Sequence, residues 1–183
     1  MALYLAESEL EGGREDRGQL EQRLEVIAGE AKSRDLRVVE VQIAADHSKA
    51  YLIFEAQTKT EVEAALLAAS TPATLVKEVR LLGQAAEEAV ETNYLVEWNL
   101  PTDLTMEQYL ERKRQNSVHY AEVPEVSFSR TYVCEDMSKC LCFYQAPDEA
   151  AVKRAREAVS APIDAITPIA SHSRVRAGDG EGL

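Results

Sequence analysis

The chain is short of basic residues, of glycine-rich segments, of histidine and of long apolar runs, and each shortage excludes something. Twenty Lys and Arg stand against 32 Asp and Glu over 183 residues, a formal charge of −12. Phosphate binding needs local positive charge, so nucleic acid is not the expected partner. The basic run Glu111-Arg112-Lys113-Arg114 reads as a solvated helix face. No apolar run is long enough to span a bilayer. The opening Met1-Ala2-Leu3-Tyr4 has no basic leader, and Glu7 and Glu9 follow at once. The expectation is a cytoplasmic protein with no membrane partner and no signal peptide. No glycine-rich phosphate loop follows a strand, and Gly12-Gly13 alone is too little for one. The three histidines, His47, His119 and His172, form no evident set with a serine or cysteine nucleophile.

Cysteine is also scarce. Cys134, Cys140 and Cys142 are the only three, and all fall in one predicted hairpin. A structural zinc site normally takes four Cys or His ligands, and a disulfide is disfavoured in a reducing compartment. The plain reading is three buried thiols. The sharper one is a metal or redox site using Cys140 and Cys142, which alternate onto one strand face, with His119 or a nearby carboxylate.

What the chain does have is a repeat. Lys139-Cys140-Leu141-Cys142-Phe143-Tyr144-Gln145-Ala146 matches Lys49-Ala50-Tyr51-Leu52-Ile53-Phe54-Glu55-Ala56 at an offset of 90 residues without a gap. Each segment reads as a buried strand leading into a helix. Around the first, Leu3 to Ser8 reads as a strand, and Leu20, Leu24, Ile27 and Ala31 recur at helical spacing over 15–33. Leu36 to Ala44 is β-branched. Val62, Leu66 and Ala69 form a second helical stripe capped by Thr58 or Thr60. Leu75 to Leu82 closes a βαββαβ module of the ferredoxin-like kind. The pattern restarts at Tyr94. Thr105 and Gln108 form a capping box, and a helix runs to about Ser117. Strands follow at 126–134 and from Lys139, Pro147 falls in the first turn of the next helix, and 163–170 closes the module. The expected organisation is a first module over 1–82, a linker over 83–92, a second module over 93–170 and a disordered tail over 171–183.

In both third strands the two faces are apolar, so both want cover. The expected fold class is therefore α+β: tandem ferredoxin-like modules packed sheet to sheet as an intramolecular pseudo-dimer, close to an α+β barrel. The rival is a pair of modules that each join another chain, so monomer and homodimer both stay open. Such packing leaves room for a ligand between layers. The candidate ligand-binding residues are the polar and aromatic members of the second module's strands, Glu97, Trp98, Arg130, Tyr132 and Tyr144, with His119 in a loop that could fold over the pocket. Glu97 and Arg130 are a candidate pair, since a buried carboxylate needs a partner or a metal.

Tyr94-Leu95-Val96-Glu97, Ser129-Arg130-Thr131-Tyr132-Val133, Leu141-Cys142-Phe143-Tyr144-Gln145-Ala146-Pro147 and Ala161-Pro162-Ile163-Asp164-Ala165-Ile166 together resemble the DUF4242 family over 93–170. Residues 1–82 are similar to a diverged copy. The resemblance implies a ferredoxin-like fold whose members pair through their sheets, and it includes nickel-binding members, so a divalent transition metal such as nickel is the implied cofactor. Where those members place histidines, this chain has Glu97-Trp98 and Arg130.

Three functions follow as expectations. The first is a non-enzymatic small-ligand-binding or regulatory protein, with a small molecule or a protein as partner. The second is an enzyme of the α+β barrel type, an isomerase, cyclase or monooxygenase, with Arg130, Glu97, His119 and Tyr132 as its polar groups. The third is a transition-metal-binding protein using Cys140, Cys142 and His119.

Overall fold

The computed structural model describes residues 1–10, 16–83, 91–170 and 174–175. Gly12-Gly13, His172, most of the expected linker and most of the expected tail lie outside the described residues. The chain divides into two compact units, Met1–Val79 with Ala170–Leu183, and Arg80–Ile169.

The first half runs β1 (Ala2–Glu9), α1 (Arg17–Ser33), β2 (Arg37–Ile43), β3 (Lys49–Ala56), α2 (Lys59–Ala68) and β4 (Leu75–Gly83). The second runs β5 (Tyr94–Asn99), α3 (Met106–Asn116), a 3-10 turn (Ser117–Glu122), β6 (Ser127–Cys134), β7 (Lys139–Gln145), α4 (Glu149–Ala158) and β8 (Ala165–Pro168). A two-residue strand, β9 (Arg174–Val175), pairs with β2 at Glu40 and Val41. The βαββαβ order is therefore present twice.

Capping sets the helix starts. Asp16, Thr58 and Thr105 each accept from the third helical backbone N–H, and Gln19, Glu61 and Gln108 answer onto the cap residue. Asp148 caps α4 by accepting from Ala151 N at 2.8 Å. Pro147 thus stands just before the cap, two residues ahead of the first helical position, because the aspartate side chain takes the capping role. The helix ends match as well. Thr71 N reaches Leu66 O, and Ala161 N reaches Arg156 O, both at 2.9 Å, around left-handed Ser70 and Ser160. Both are Schellman ends, and the offset of 90 residues is kept.

The strands keep that offset too. Leu52 pairs with Ala6 on one side and Val41 on the other, as Cys142 pairs with Val96 and Thr131. The register slips between Val38 and Glu40, and again between Phe128 and Arg130. Each slip is a β-bulge, at Val39 and at Ser129.

In the first unit the strand order is β4-β1-β3-β2-β9, and in the second it is β8-β5-β7-β6. Neither order returns to its first strand. Among the described residues the short β8 and β9 each have one partner strand, β5 and β2. A barrel requires every strand to have two neighbours. The sheet is therefore open, and the expected closure into an α+β barrel is overturned.

In each unit the helices cover one sheet face. In the first unit Ala6, Ala50, Leu52 and Phe54 pack with Leu20, Ile27, Val62 and Leu66. In the second, Val96, Trp98, Cys140, Cys142 and Tyr144 pack with Tyr109, Val152 and Ala155. Among the described residues no helix is long and apolar enough to cross a membrane.

Candidate functional site

The helix-facing side of the second unit's sheet is not purely apolar. Strand alternation puts Thr131 of β6, Cys140, Cys142 and Tyr144 of β7, and Trp98 of β5 on that side. From α4 above them comes Arg156, which is only 2% exposed. Its guanidinium Nη1 donates to Tyr144 Oη at 3.2 Å and to Cys142 Sγ at 3.4 Å, and its Nη2 donates to the Pro162 carbonyl. Thr131 Oγ1 also donates to Cys142 Sγ, at 3.1 Å. Tyr144 and Tyr120 share a hydroxyl–hydroxyl hydrogen bond of 2.6 Å. Tyr120 is held in place by stacking on Phe128, with ring centroids 5.2 Å apart.

Beside this cluster lies a cleft of about 30 Å³. It is lined by Trp98, Tyr109, Tyr120, Cys142 and Arg156, with Arg112 and Lys113 at its rim. Arg112 lies over the Trp98 ring at 5.3 Å and donates to the Ser160 carbonyl at 2.6 Å. None of the described residues lining the cleft is acidic. A cationic recess in a chain of net charge −12 is a local reversal of field, which favours an anion. Nε of Arg156 has no hydrogen-bond partner among the described residues. A buried guanidinium N–H left unmatched is a costly arrangement.

The two thiols differ. Cys142 is held well below the ordinary thiol value. A hydrogen bond from Cys140 is the main cause; burial opposes it, and the charges of Lys113 and Arg156 and the Thr131 hydroxyl add to it. Cys140 is pushed well above, first by sharing that hydrogen bond and then by burial. Burial also raises Tyr144, Tyr120 and Tyr109. Cys134 is buried and separate, raised by burial. All three thiols are free.

The structure divides the residues expected from sequence. Trp98, Tyr144, Cys140 and Cys142 come together on the helix side. Glu97, Arg130 and Tyr132 alternate onto the other face. Glu97 pairs with Lys139 at 2.8 Å, as Glu7 pairs with Lys49 at 2.6 Å, so this ion pair belongs to the repeated framework. Arg130 is fully buried over the Phe143 ring at 4.7 Å, and Tyr132 meets the same ring edge-on. His119 is exposed on the 3-10 turn, with Nδ1 2.8 Å from Glu122 Oε2, and does not line the cleft.

Arg156, Thr131, Tyr120, Tyr109, Arg112 and Lys113 were not expected at a site. A signal for Arg156 existed. It interrupts the apolar stripe of Val152, Ala155 and Val159 at the position where the first copy has Leu66. The same comparison puts Val41 opposite Thr131, Ala50 opposite Cys140, Leu52 opposite Cys142 and Phe54 opposite Tyr144. The first unit fills this volume with hydrocarbon alone.

Residues 94–169 match the family model described as nickel responsive protein SCO4226-like, which is less than half of the chain. No curated protein matches. Among solved structures, SCO4226 from Streptomyces coelicolor A3(2) is 17% identical, with a TM-score of 0.41, over 45% of this chain and 100% of that one. An anthrone oxidase-like protein is 14% identical, with a TM-score of 0.54, over 97% of this chain and 94% of that one. An inferred chlorite dismutase, TA0507, is 10% identical, with a TM-score of 0.53, over 96% of both. The last two likenesses show the fold. Internal symmetry supplies the second, diverged repeat.

The family description names nickel, a metal that needs a matching donor set. Among the described residues the cleft offers one thiol directly and a second behind it, with no imidazole and no carboxylate in its lining. Among the described residues no group of three or more His, Cys, Asp or Glu is placed to hold an ion. Nickel wants four or more N, O or S donors in a tetragonal or larger set, and these residues do not fit it.

Proposed function

We propose that the second unit is an enzyme site in which Cys142, as a thiolate, is the reacting atom and Arg156 with the rim cations receives an anionic group of a compact substrate. One observation carries this reading. The repeated framework is built in the first unit with Val41, Ala50, Leu52, Phe54 and Leu66, and the same positions in the second unit hold Thr131, Cys140, Cys142, Tyr144 and Arg156. The fold does not need the polar set, and burying it is costly. Perturbed titratable groups beside a cleft mark functional sites. The fold relatives with enzyme names add nothing to this at their low identity.

In this reading Trp98, Tyr109 and Tyr120 wall the substrate, and Arg112 and Lys113 draw it in. Thr131 and Arg156 hold the sulfur as the thiolate. The Tyr120–Tyr144 pair keeps neutral hydroxyls at the reacting end, because burial raises both phenols. A non-enzymatic binder of the same anion would need Arg156 and the rim but not the thiol.

Iodoacetate tests both parts, because it joins a carboxylate to an alkylating carbon. Sulfur attacks that carbon, the C–S bond forms, the C–I bond breaks and iodide leaves with the electron pair. The expected result is selective labelling of Cys142 in the native protein near neutral pH, faster than by uncharged iodoacetamide. Replacing Arg156 with leucine should slow the iodoacetate reaction about tenfold, the rate equivalent of roughly 1.4 kcal/mol. Peptide mapping that finds Cys142 unlabelled, or a charge preference unchanged in Arg156→Leu, would sink the reading.

A further inference from the structure

We propose that the second unit reduces small hydroperoxides, with Cys142 as the attacking thiol and Cys140 as the thiol that resolves the product. This rests on the reading of Cys142 as the reacting sulfur and adds a substrate class and a second residue.

The geometry supplies the parts. Cys140 and Cys142 stand on one face of one strand with a single residue between them. Their α-carbons are then roughly 6.5 Å apart, and their parallel side chains hold the β-carbons wider than the about 3.5–4.5 Å of an unstrained disulfide, so the bond forms only as β7 bends locally. Cys142 lines the cleft while Cys140 lies behind it, next to the Tyr109 hydroxyl. The cleft of about 30 Å³ has room for a water-sized guest, and hydrogen peroxide is little larger than water. Two donors, Thr131 Oγ1 and Arg156 Nη1, point at Cys142 Sγ. Arg156 also lines the cleft, where its charge would stabilise a departing oxygen.

The steps balance. The Cys142 thiolate attacks one peroxide oxygen, forming an S–O bond as the O–O bond breaks. The second oxygen leaves as hydroxide, or as alkoxide from an alkyl hydroperoxide, and takes a proton from water. Sulfur is oxidised by two electrons to sulfenic acid and the peroxide is reduced by two. Cys140 then attacks Cys142 sulfur, the S–O bond breaks, water leaves and the Cys140–Cys142 disulfide forms. An external dithiol reductant returns both thiols. A bond that bends a paired strand is strained, which favours its reduction. Cys134 takes no part. The first unit has Ala50 and Leu52 at the two positions and lacks the activity.

The test is to treat the full chain with one equivalent of hydrogen peroxide and follow intact and peptide masses. The wild type should lose two hydrogen atoms and show a Cys140–Cys142 link, reversed by a dithiol. Cys140→Ala, the residue the first unit already tolerates there, should stop at sulfenic acid on Cys142, trapped by dimedone. Cys134→Ser should behave as the wild type. An unchanged wild-type mass, or a link through Cys134, overturns the proposal. The wild-type peptide map decides this even if a variant fails to fold. If iodoacetate labels Cys142 while peroxide leaves the mass unchanged, the hydroperoxide inference fails and the thiol site stands. If neither reagent acts, both fail.

Discussion

At the residue scale, Arg156 separates a structural role from a functional one. It is almost fully buried and bonded to Tyr144, Cys142 and the Pro162 carbonyl. If that network held the unit together, removing its charge would cost about 3–5 kcal/mol. The first unit argues the reverse, because Leu66 fills the equivalent place with no exposure at all. Arg156→Leu is therefore expected to leave stability unchanged or raise it by about 1–4 kcal/mol, as replacing buried ionic groups by packed hydrocarbon often does. Urea unfolding of the variant beside the wild type measures the difference. A loss of several kcal/mol would return the cluster to a purely structural role.

At the element scale, Gly83 lies close to the bulge of β6, both within Arg80–Ile169. Gly83 has φ +100°, and a Cβ there would lie 2.8 Å from the Ser129 carbonyl oxygen and 3.1 Å from Arg130 Cα. Both obstacles are backbone and cannot swing away. Gly83→Ala should cost about 2 kcal/mol or more, from left-handed strain and the clash together. A thermal melt within experimental error of the wild type would show that the second unit accommodates the added methyl group.

The elements are also where the sequence reads best. Val62, Leu66 and Ala69 announce α2, and Thr105 with Gln108 announces α3, because stripe and cap are local signals. The 3-10 turn that carries His119 and Tyr120 has no such period, so it reads as a loop. Strand faces are legible from alternation, which separates Cys140, Cys142 and Tyr144 from Leu141 and Phe143. Which face meets helices is a tertiary fact, and so Arg130 and Tyr132 read as site residues alongside Trp98. The cluster around Cys142 draws on β6, β7, α3, α4 and the 3-10 turn, a convergence that no linear spacing encodes. Only Arg156 against Leu66 hints at it, and the hint requires aligning the chain with itself.

At the scale of the molecule, alkaline pH acts on both units, through Tyr4 in the first, raised chiefly by burial, and through several groups in the second. In the second, Tyr144 and Tyr109 are raised above the ordinary phenol value chiefly by burial, and Cys140 is raised by its bond to Cys142 and by burial. A group raised on folding contributes stability that is present below its unfolded value and is lost as pH rises through the folded one. The loss begins above about 8.5 for the thiol and about 10 for the phenols. Cys142, lowered on folding, works in the opposite sense. Its contribution is present above about 8.5 and is lost as pH falls through its folded value. Stability should therefore decline toward alkaline pH, and Tyr144→Phe, the residue the first unit has as Phe54, should flatten that decline. Urea midpoints by circular dichroism at increasing pH check it. An identical alkaline slope in the variant would remove Tyr144 as a cause.

Trp98 is the single tryptophan of the chain, and it is buried in the second unit beneath the Arg112 guanidinium. Intrinsic emission of this protein is consequently a local signal from Arg80–Ile169. Quenching or a spectral shift would follow a ligand entering the cleft or the release of Arg112 from the ring. Loss of order confined to Met1–Val79 would leave the spectrum largely dark to it. An unfolding curve recorded by fluorescence alone would count one half of the protein as the whole.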